Sequence, residues 1–515
     1  MKRGDVGHAW CVGSAARYDG GLRIVVAIVL GSVACGRIDF DASSDAETCI
    51  EGAACDDGDP CTTGDRCTQG MCAPGEVTGC ADLPRPVVRS VGATSGALAE
   101  GTSLLAVAGS TAVFGADLPD RIGVGDVLEY DSDGDGTRDS LAFITARLSA
   151  RVYEVRNATG DTPGPTTSQT TAWSVFRAYL TLADAVDVVR AGTHNPSISG
   201  AFDAFTAGRD LVTANEQRTI ACYDDAIDAE PVSICDTSYT RSCMGTGWTT
   251  DATHYLRVFT PTSLAQVGTS QRHAGTWGRG YRRTQGIIMY QGFIRLDGMS
   301  IQRSVGGNGR TYYVETEGHG GEVWISNSFG WNSITGASKV YDIWDTGVPA
   351  LGGTYTVFKL WNDIAYNEST TDPRSGFYFN SNRAEVHAAN CTAYVLGGGA
   401  FYQSSQAHAT LTNCLGYSAA NAVYEADDGF QLVTASVSSD NSLATLGATN
   451  ASNQAIAFAN AAVADLHLDA TASSQIRGAG VDLSADPIVP FSDDIDGDTR
   501  PPGVWDIGAD QWTAP

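Results

Sequence analysis

Asn327-Ser-Phe-Gly-Trp331, Asn362-Asp-Ile-Ala-Tyr366, Asn390-Cys-Thr-Ala-Tyr394 and Asn413-Cys-Leu-Gly-Tyr417 share one pattern: an Asn, two residues, a small residue and an aromatic. The Asn residues stand 35, 28 and 23 positions apart. In front of each, apolar side chains fall on one parity: Val323 and Ile325, Phe358 and Leu360, Val386 and Ala388, Ala409 and Leu411. Period-two alternation with stacked identical residues is what successive coils of a parallel solenoid require. An Asn at a sharp inner turn hydrogen-bonds the backbone of its neighbours, rung after rung. Unequal spacing lengthens turns while strand register is kept. A second ladder tracks the first: Tyr341, Tyr378, Tyr402 and Tyr424, each preceded by Val or Phe.

Working outward, Tyr179-Leu-Thr-Leu-Ala-Asp-Ala-Val-Asp-Val-Val-Arg190 carries Tyr179, Leu182, Val186 and Val189 at helical spacing. That predicts a short amphipathic helix plugging the open end of the solenoid. Before it, alternating runs such as Gly125–Tyr130, Leu141–Arg147 and Arg151–Arg156 predict a small β-rich domain. The fold class is therefore all-β, a parallel β-helix with an N-terminal capping helix, preceded by a β-rich domain and a disulfide-rich stalk. The expected segments are 1–34 signal peptide, 35–85 stalk and linker, 86–178 β-rich domain, 179–464 β-helix and 465–515 closing segment. Within them, 83–90 (Leu-Pro-Arg-Pro-Val-Val-Arg-Ser) reads as linker.

Fifty-nine acidic residues against 32 basic ones give a net charge of −27, which repels phosphate backbones and excludes a nucleic-acid partner. The run from Ile24 to Ala34 is too short to span a bilayer comfortably and reads as a signal-peptide core. Ser32-Val-Ala-Cys35 resembles a bacterial lipobox, departing at the first position, where Leu is usual. The resemblance implies lipidation of Cys35 and a membrane contact through that anchor only. Gly36 stands where Asp favours inner-membrane retention, so the implied address is the outer membrane or cell surface, otherwise secretion. Cys49, Cys55, Cys61, Cys67, Cys72 and Cys80 form a dense even set, read as disulfide candidates in an oxidising compartment. Their pairing is open.

The coil pattern, with Phe293-Ile-Arg-Leu-Asp-Gly-Met-Ser-Ile301, resembles the right-handed parallel β-helices of the pectin-lyase-like superfamily. The tail (Asp465-Leu-His-Leu, Asp494-Ile-Asp-Gly-Asp-Thr-Arg500, Asp506-Ile-Gly-Ala-Asp510) resembles the closing segment of many secreted β-helix proteins. The resemblance covers roughly 175–515 and implies polysaccharide lyases, glycosidases, adhesins or inactive members, so fold does not give function. The lyases' clustered carboxylates on Ca²⁺ with an Arg or Lys base have no matching motif here.

With one parity inside, the other faces solvent. Three residues before each Asn that outer column reads Trp324, Lys359, His387, Thr410; five before, Glu322, Val357, Glu385, His408; one before, Ser326, Trp361, Ala389, Thr412. Trp324 and Trp361, with His408, are candidates to bind a polysaccharide. Glu385, His387, Glu322 and Lys359 are the residue types proton transfer at a glycosidic or uronate centre needs. The competing reading is an ordinary solvated sheet face, as in a structural or adhesive surface protein. Asp131, Asp133, Asp135 and Asp139 match the first nine positions of a calcium loop, but Ala142 stands at the twelfth, where a bidentate Glu is expected. Either that loop holds a structural Ca²⁺ or it is a polar turn. Cys391 and Cys414 occupy equivalent positions in successive coils, as a disulfide or as two core thiols. Among Cys222, Cys235 and Cys243, one bond and one free thiol is expected.

Overall fold

The computed structural model describes residues 83–513, interrupted at 103, 168–171, 191, 204–208, 240–242, 305–308, 335, 346–354, 373, 382–383 and 405–406, and the backbone of four short strands between 62 and 77. Cys35, Cys49, Cys55, Cys61 and Cys80 lie outside the described residues. Cys67 and Cys72 are backbone register partners in an antiparallel pair of short strands.

Three parallel sheets run along the body, and each of the six coils between Leu256 and Ala426 gives one strand to each. The first has nine strands, from Arg85–Val91 through Glu216–Cys222, Leu256–Phe259, Phe293–Asp297, Gly321–Ser326, Thr356–Trp361, Ala384–Ala389 and His408–Thr412 to Leu432–Thr434. The second has seven, from Arg282–Arg283 to Val437–Ser438, and includes Phe329–Asn332, Ile364–Asn367, Thr392–Val395 and Leu415–Ser418. The third also has seven, from Val232–Cys235 to Tyr424–Ala426. This is a parallel β-helix. Val323, Ile325, Phe358, Leu360, Val386, Ala388, Ala409 and Leu411 are all buried in its core.

The four repeat Asn residues join the first sheet to the second, each in the left-handed region with φ of 49°, 52°, 48° and 54°. Asn tolerates that backbone better than any other residue with a Cβ. Asn362 Nδ2 donates to Asn327 Oδ1 at 3.1 Å, and Asn413 Nδ2 to Asn390 Oδ1 at 2.9 Å. Their second amide hydrogens reach carbonyls of the tail, at Asp493 and Val481.

The second ladder divides. Tyr341 pairs with Phe377, Phe377 with Phe401, and Phe401 with Tyr424, so Tyr378 and Tyr402 sit one residue over, on the outer face. In a Phe-Tyr dipeptide parity can put only one ring inside, and the ring without a hydroxyl goes there. The inward column Tyr312, Tyr341, Phe377, Phe401, Tyr424 stacks at 4.7, 4.5, 5.1 and 4.9 Å.

At the N-terminal end the helix is shorter than its periodicity predicts. Leu182–Val186 is helical and wholly buried, capped by Thr181 Oγ1 accepting from the Asp184 N–H. Val189 lies beyond the helix and is 88% exposed. Residues 83–90 are not a linker: Arg85–Val91 is the first strand of the first sheet, parallel to Glu216–Cys222. Pro86 is tolerated there because the strand is at the sheet edge, where a missing N–H breaks no ladder. The expected boundary at residue 86 falls inside that strand. The β-rich domain, a seven-stranded antiparallel sheet between Ala99–Gly101 and Trp173–Phe176, is inserted after it. Buried Arg177 ties the two together, 2.8 Å from Asp126 and 3.0 Å from Asp225.

The tail runs beside the coils. Leu466, Ile495 and Ala509 pack on Phe329, Ile364 and Tyr366 of the second sheet; Leu468, Ile476 and Ile507 pack on Leu415 and Val437. Arg500 is buried, with Nη2 donating to Asn362 Oδ1 at 3.1 Å and to the Ala509 carbonyl at 2.8 Å. The last coil is closed instead by residues 440–450. Side-chain oxygens of Asp440, Ser442, Thr449 and Asn450 accept the N–H groups of Val423, Tyr424, Ala435 and Ser436. Those donors have no further rung to pair with, and burial unpaired would cost about 1–3 kcal/mol each.

Candidate functional site

On the outer face of the first sheet, register puts Arg257, Arg295, Trp324, Lys359, His387 and Thr410 in one column on six consecutive strands. The neighbouring column holds Glu322, Val357, Glu385 and His408. Rungs about 4.8 Å apart make this a stripe with four cationic or protonatable side chains. Arg257 and Arg295 are absent from the sequence reading, which was keyed on Asn. At their end of the sheet Gly298, at φ 78°, takes the turn position of Asn327. The signal available was the shared outward Arg in Leu256-Arg-Val-Phe259 and Phe293-Ile-Arg-Leu-Asp297.

The predicted residues come together in pairs. Lys359 Nζ lies 2.8 Å from Glu322 Oε2, their side chains 14% and 34% exposed. His387 Nε2 lies 2.8 Å from Glu385 Oε1, with 12% and 45% exposure. Arg257 lies 3.8 Å from Asp297. Arg295 has no carboxylate within ion-pair distance in this stripe; its guanidinium donates to Tyr255 Oη at 2.7 Å and burial lowers its pKa. His408 is exposed, with the Tyr355 ring 6.0 Å away.

Both tryptophans already have a ring face covered. Arg295 lies 3.7 Å over the Trp324 ring from the preceding strand, and Lys359 5.1 Å from the following one. Trp361 stacks against Phe491 of the tail, at 6.4 Å and 26°, and meets Trp324 edge-on at 5.7 Å. In a column one rung apart, ring faces point at neighbouring rungs and only edges point outward.

A second cluster that sequence reasoning missed lies on the outer face of the third sheet. Tyr313, Asp342, Tyr378 and Tyr402 share one outward column. Asp342 is buried, 2.6 Å from Arg310 Nε, and burial pushes its carboxyl up to about 6 against the pull of Arg310 and Lys339.

Of the calcium-loop residues, Asp131, Asp133 and Asp135 bring one oxygen each within 4.8 Å of the others. Asp131 also accepts from Gly134 N and Gly136 N, at 2.7 and 2.8 Å. Asp139 turns away to Ser132, accepting from its N–H at 2.9 Å and its hydroxyl at 3.1 Å. Cys235 and Cys243 form a disulfide, while Cys222, Cys391 and Cys414 are buried free thiols.

No protein-family model matches the chain, and neither a curated protein nor a solved structure matches it.

Proposed function

We propose that this protein is an exported surface lipoprotein, anchored through Cys35, whose β-helix binds an acidic polysaccharide along the first sheet. The observation that carries the reading is the column Arg257, Arg295, Lys359, His387, cationic or protonatable on four of five consecutive strands in a chain of net charge −27. Such a column on an acidic body becomes a local attractor for a polyanion once the ligand replaces Asp297, Glu322 and Glu385 as the partners of its cations. Its repeat of about 4.8 Å per rung is close to one sugar residue of an extended chain. Ligand carboxylates would exchange with Glu322 and Glu385, and Trp324 would present its edge.

The reading is one of binding, not cleavage. Glu322 and Glu385 are two strands apart in one column, and each carboxylate is already held by a cation. The decisive experiment is a binding screen of polyuronates and neutral glycans at two salt concentrations, followed by product analysis. Acidic chains should bind, and affinity should fall at least tenfold in Arg295→Ala/Lys359→Ala. No binding to any acidic chain leaves a structural or adhesive spacer; released oligosaccharides make the protein a lyase or glycoside hydrolase. A structural Ca²⁺ in the Asp131 loop belongs to the same proposal. Adding Ca²⁺ to the metal-free protein should raise the melting temperature of wild type, and that gain should vanish in Asp131→Asn/Asp133→Asn.

A further inference from the structure

We propose that His467, Asp496 and Asp510 bind one divalent cation of the zinc or manganese type, which clips three separate segments of the tail together. One ligand atom from each of the three lies within 4.8 Å of the other two. They arrive from the strand Asp465–Leu468, the turn at 494–498 and the loop at 506–510, so no single local turn explains their meeting.

His467 and Asp510 are each held by a side-chain hydrogen bond that leaves a second polar atom free to face the site. Asp465 Oδ1 lies 2.6 Å from His467 Nδ1 and orients the ring so that Nε2 faces Asp496; with Nδ1–H donated to Asp465, loss of the Nε2 proton would free that nitrogen for an ion. That carboxylate–imidazole relay is how proteins orient a metal-bound histidine. Asp510 uses Oδ2 to accept the Leu468 N–H at 2.7 Å, which leaves its other oxygen available. The backbone N–H of Asp496 donates to Asp494 Oδ1 at 3.0 Å and sets the turn. His467 Nε2 and Asp496 Oδ1 are hydrogen-bonded at 3.0 Å, and an ion bonded to both at about 2.0–2.2 Å would replace that contact with a small separation of the two atoms. On the solenoid side the site is closed by Gly275, at φ 60°, where a Cβ would come 2.6 Å from His467 Nε2 and 3.2 Å from Asp496 Oδ1. An imidazole with two carboxylates suits zinc or manganese, whereas an all-oxygen set such as the Asp131 loop suits calcium.

The competing arrangement puts a proton on Nε2 and makes His467 an imidazolium between carboxylates. Calorimetric titration separates the two, using the chelator-treated full chain with Zn²⁺ and with Mn²⁺ near neutral pH. One equivalent should bind and raise the melting temperature by several degrees. His467→Gln and Asp496→Asn, each checked by circular dichroism, should weaken binding at least a hundredfold. Asp465→Asn should weaken it 10–100-fold without changing stoichiometry. Asp131→Asn/Asp133→Asn should leave it intact. Wild type that takes up neither ion overturns the proposal, and so does uptake that survives both ligand substitutions or disappears only with the Asp131 loop.

Discussion

Substitutions at Asn390 separate a backbone requirement from a hydrogen-bonding one. Its φ of 48° asks for Asn or Gly, while its amide reaches the carbonyls of Asp506 and Gly508 and its carbonyl accepts from Asn413. Asn390→Gly keeps the turn and loses the bonds, at about 1–3 kcal/mol. Asn390→Ala loses both and should cost about 1–2 kcal/mol more. Urea unfolding of the two variants measures the difference, and equal midpoints would remove the left-handed turn from the account. Asp342 supplies the pH dependence. Its folded pKa of about 6 stands above the usual carboxylate value, so its protonated form favours the fold below about pH 4 and that contribution is lost as pH rises through 6. Relative to wild type, Asp342→Asn should therefore gain stability between pH 4 and 7, by up to about 3 kcal/mol. At this scale the sequence was legible where one residue type has one use. Asn at the turns was readable; Phe-Tyr in the strands was not, because either ring fits a core until register chooses.

The inward aromatic column is the element most exposed to truncation. Phe377 stacks at 4.5 and 5.1 Å between Tyr341 and Phe401, so Phe377→Ala empties a site that rigid neighbours on both sides cannot refill. A loss of about 3–5 kcal/mol is expected, with Phe377→Leu costing less; thermal melting checks both. Elements were legible in proportion to their repetition. The four central coils announce themselves through identical residues at identical positions. Arg85–Val91 carries Pro86, directly follows Pro84, and pairs with a strand 131 positions later, so no local signal distinguishes it from a linker. The cationic column was half visible for the same reason: Lys359 and His387 precede an Asn, Arg295 precedes Gly298.

For the whole molecule the tail matters more than its motif suggested. A solenoid is held rung to rung, and its stability is close to a sum of neighbouring terms. The tail adds lateral ties: Asp493 to Arg272 at 3.6 Å, Arg500 to Asn362 at 3.1 Å, and Val481 with Asn413 at 2.8 Å. Deleting residues 465–515 should turn one unfolding transition into a broad or stepwise one. It should also bare the second sheet around Phe329, Ile364 and Leu415, raising binding of an apolar dye. A single sharp transition in the truncated chain would show that the coils cooperate without help. The sequence marks the tail as a closing segment, but a contact along the flank depends on which outer residues it covers, and no periodicity encodes that.

The order in which these contacts can form follows from chain separation. Coil-to-coil contacts such as Asn390 with Asn413 close loops of 23 residues, whereas Arg85 waits 131 residues for Glu216 and Asn362 waits 131 for Asp493. Loop-closure entropy and topology therefore favour nucleation among the central coils, with both flanks joining late. During synthesis, a chain whose last 50 residues are still unmade carries a finished spiral with one bare side, and in that interval it is most open to sticking to its neighbours.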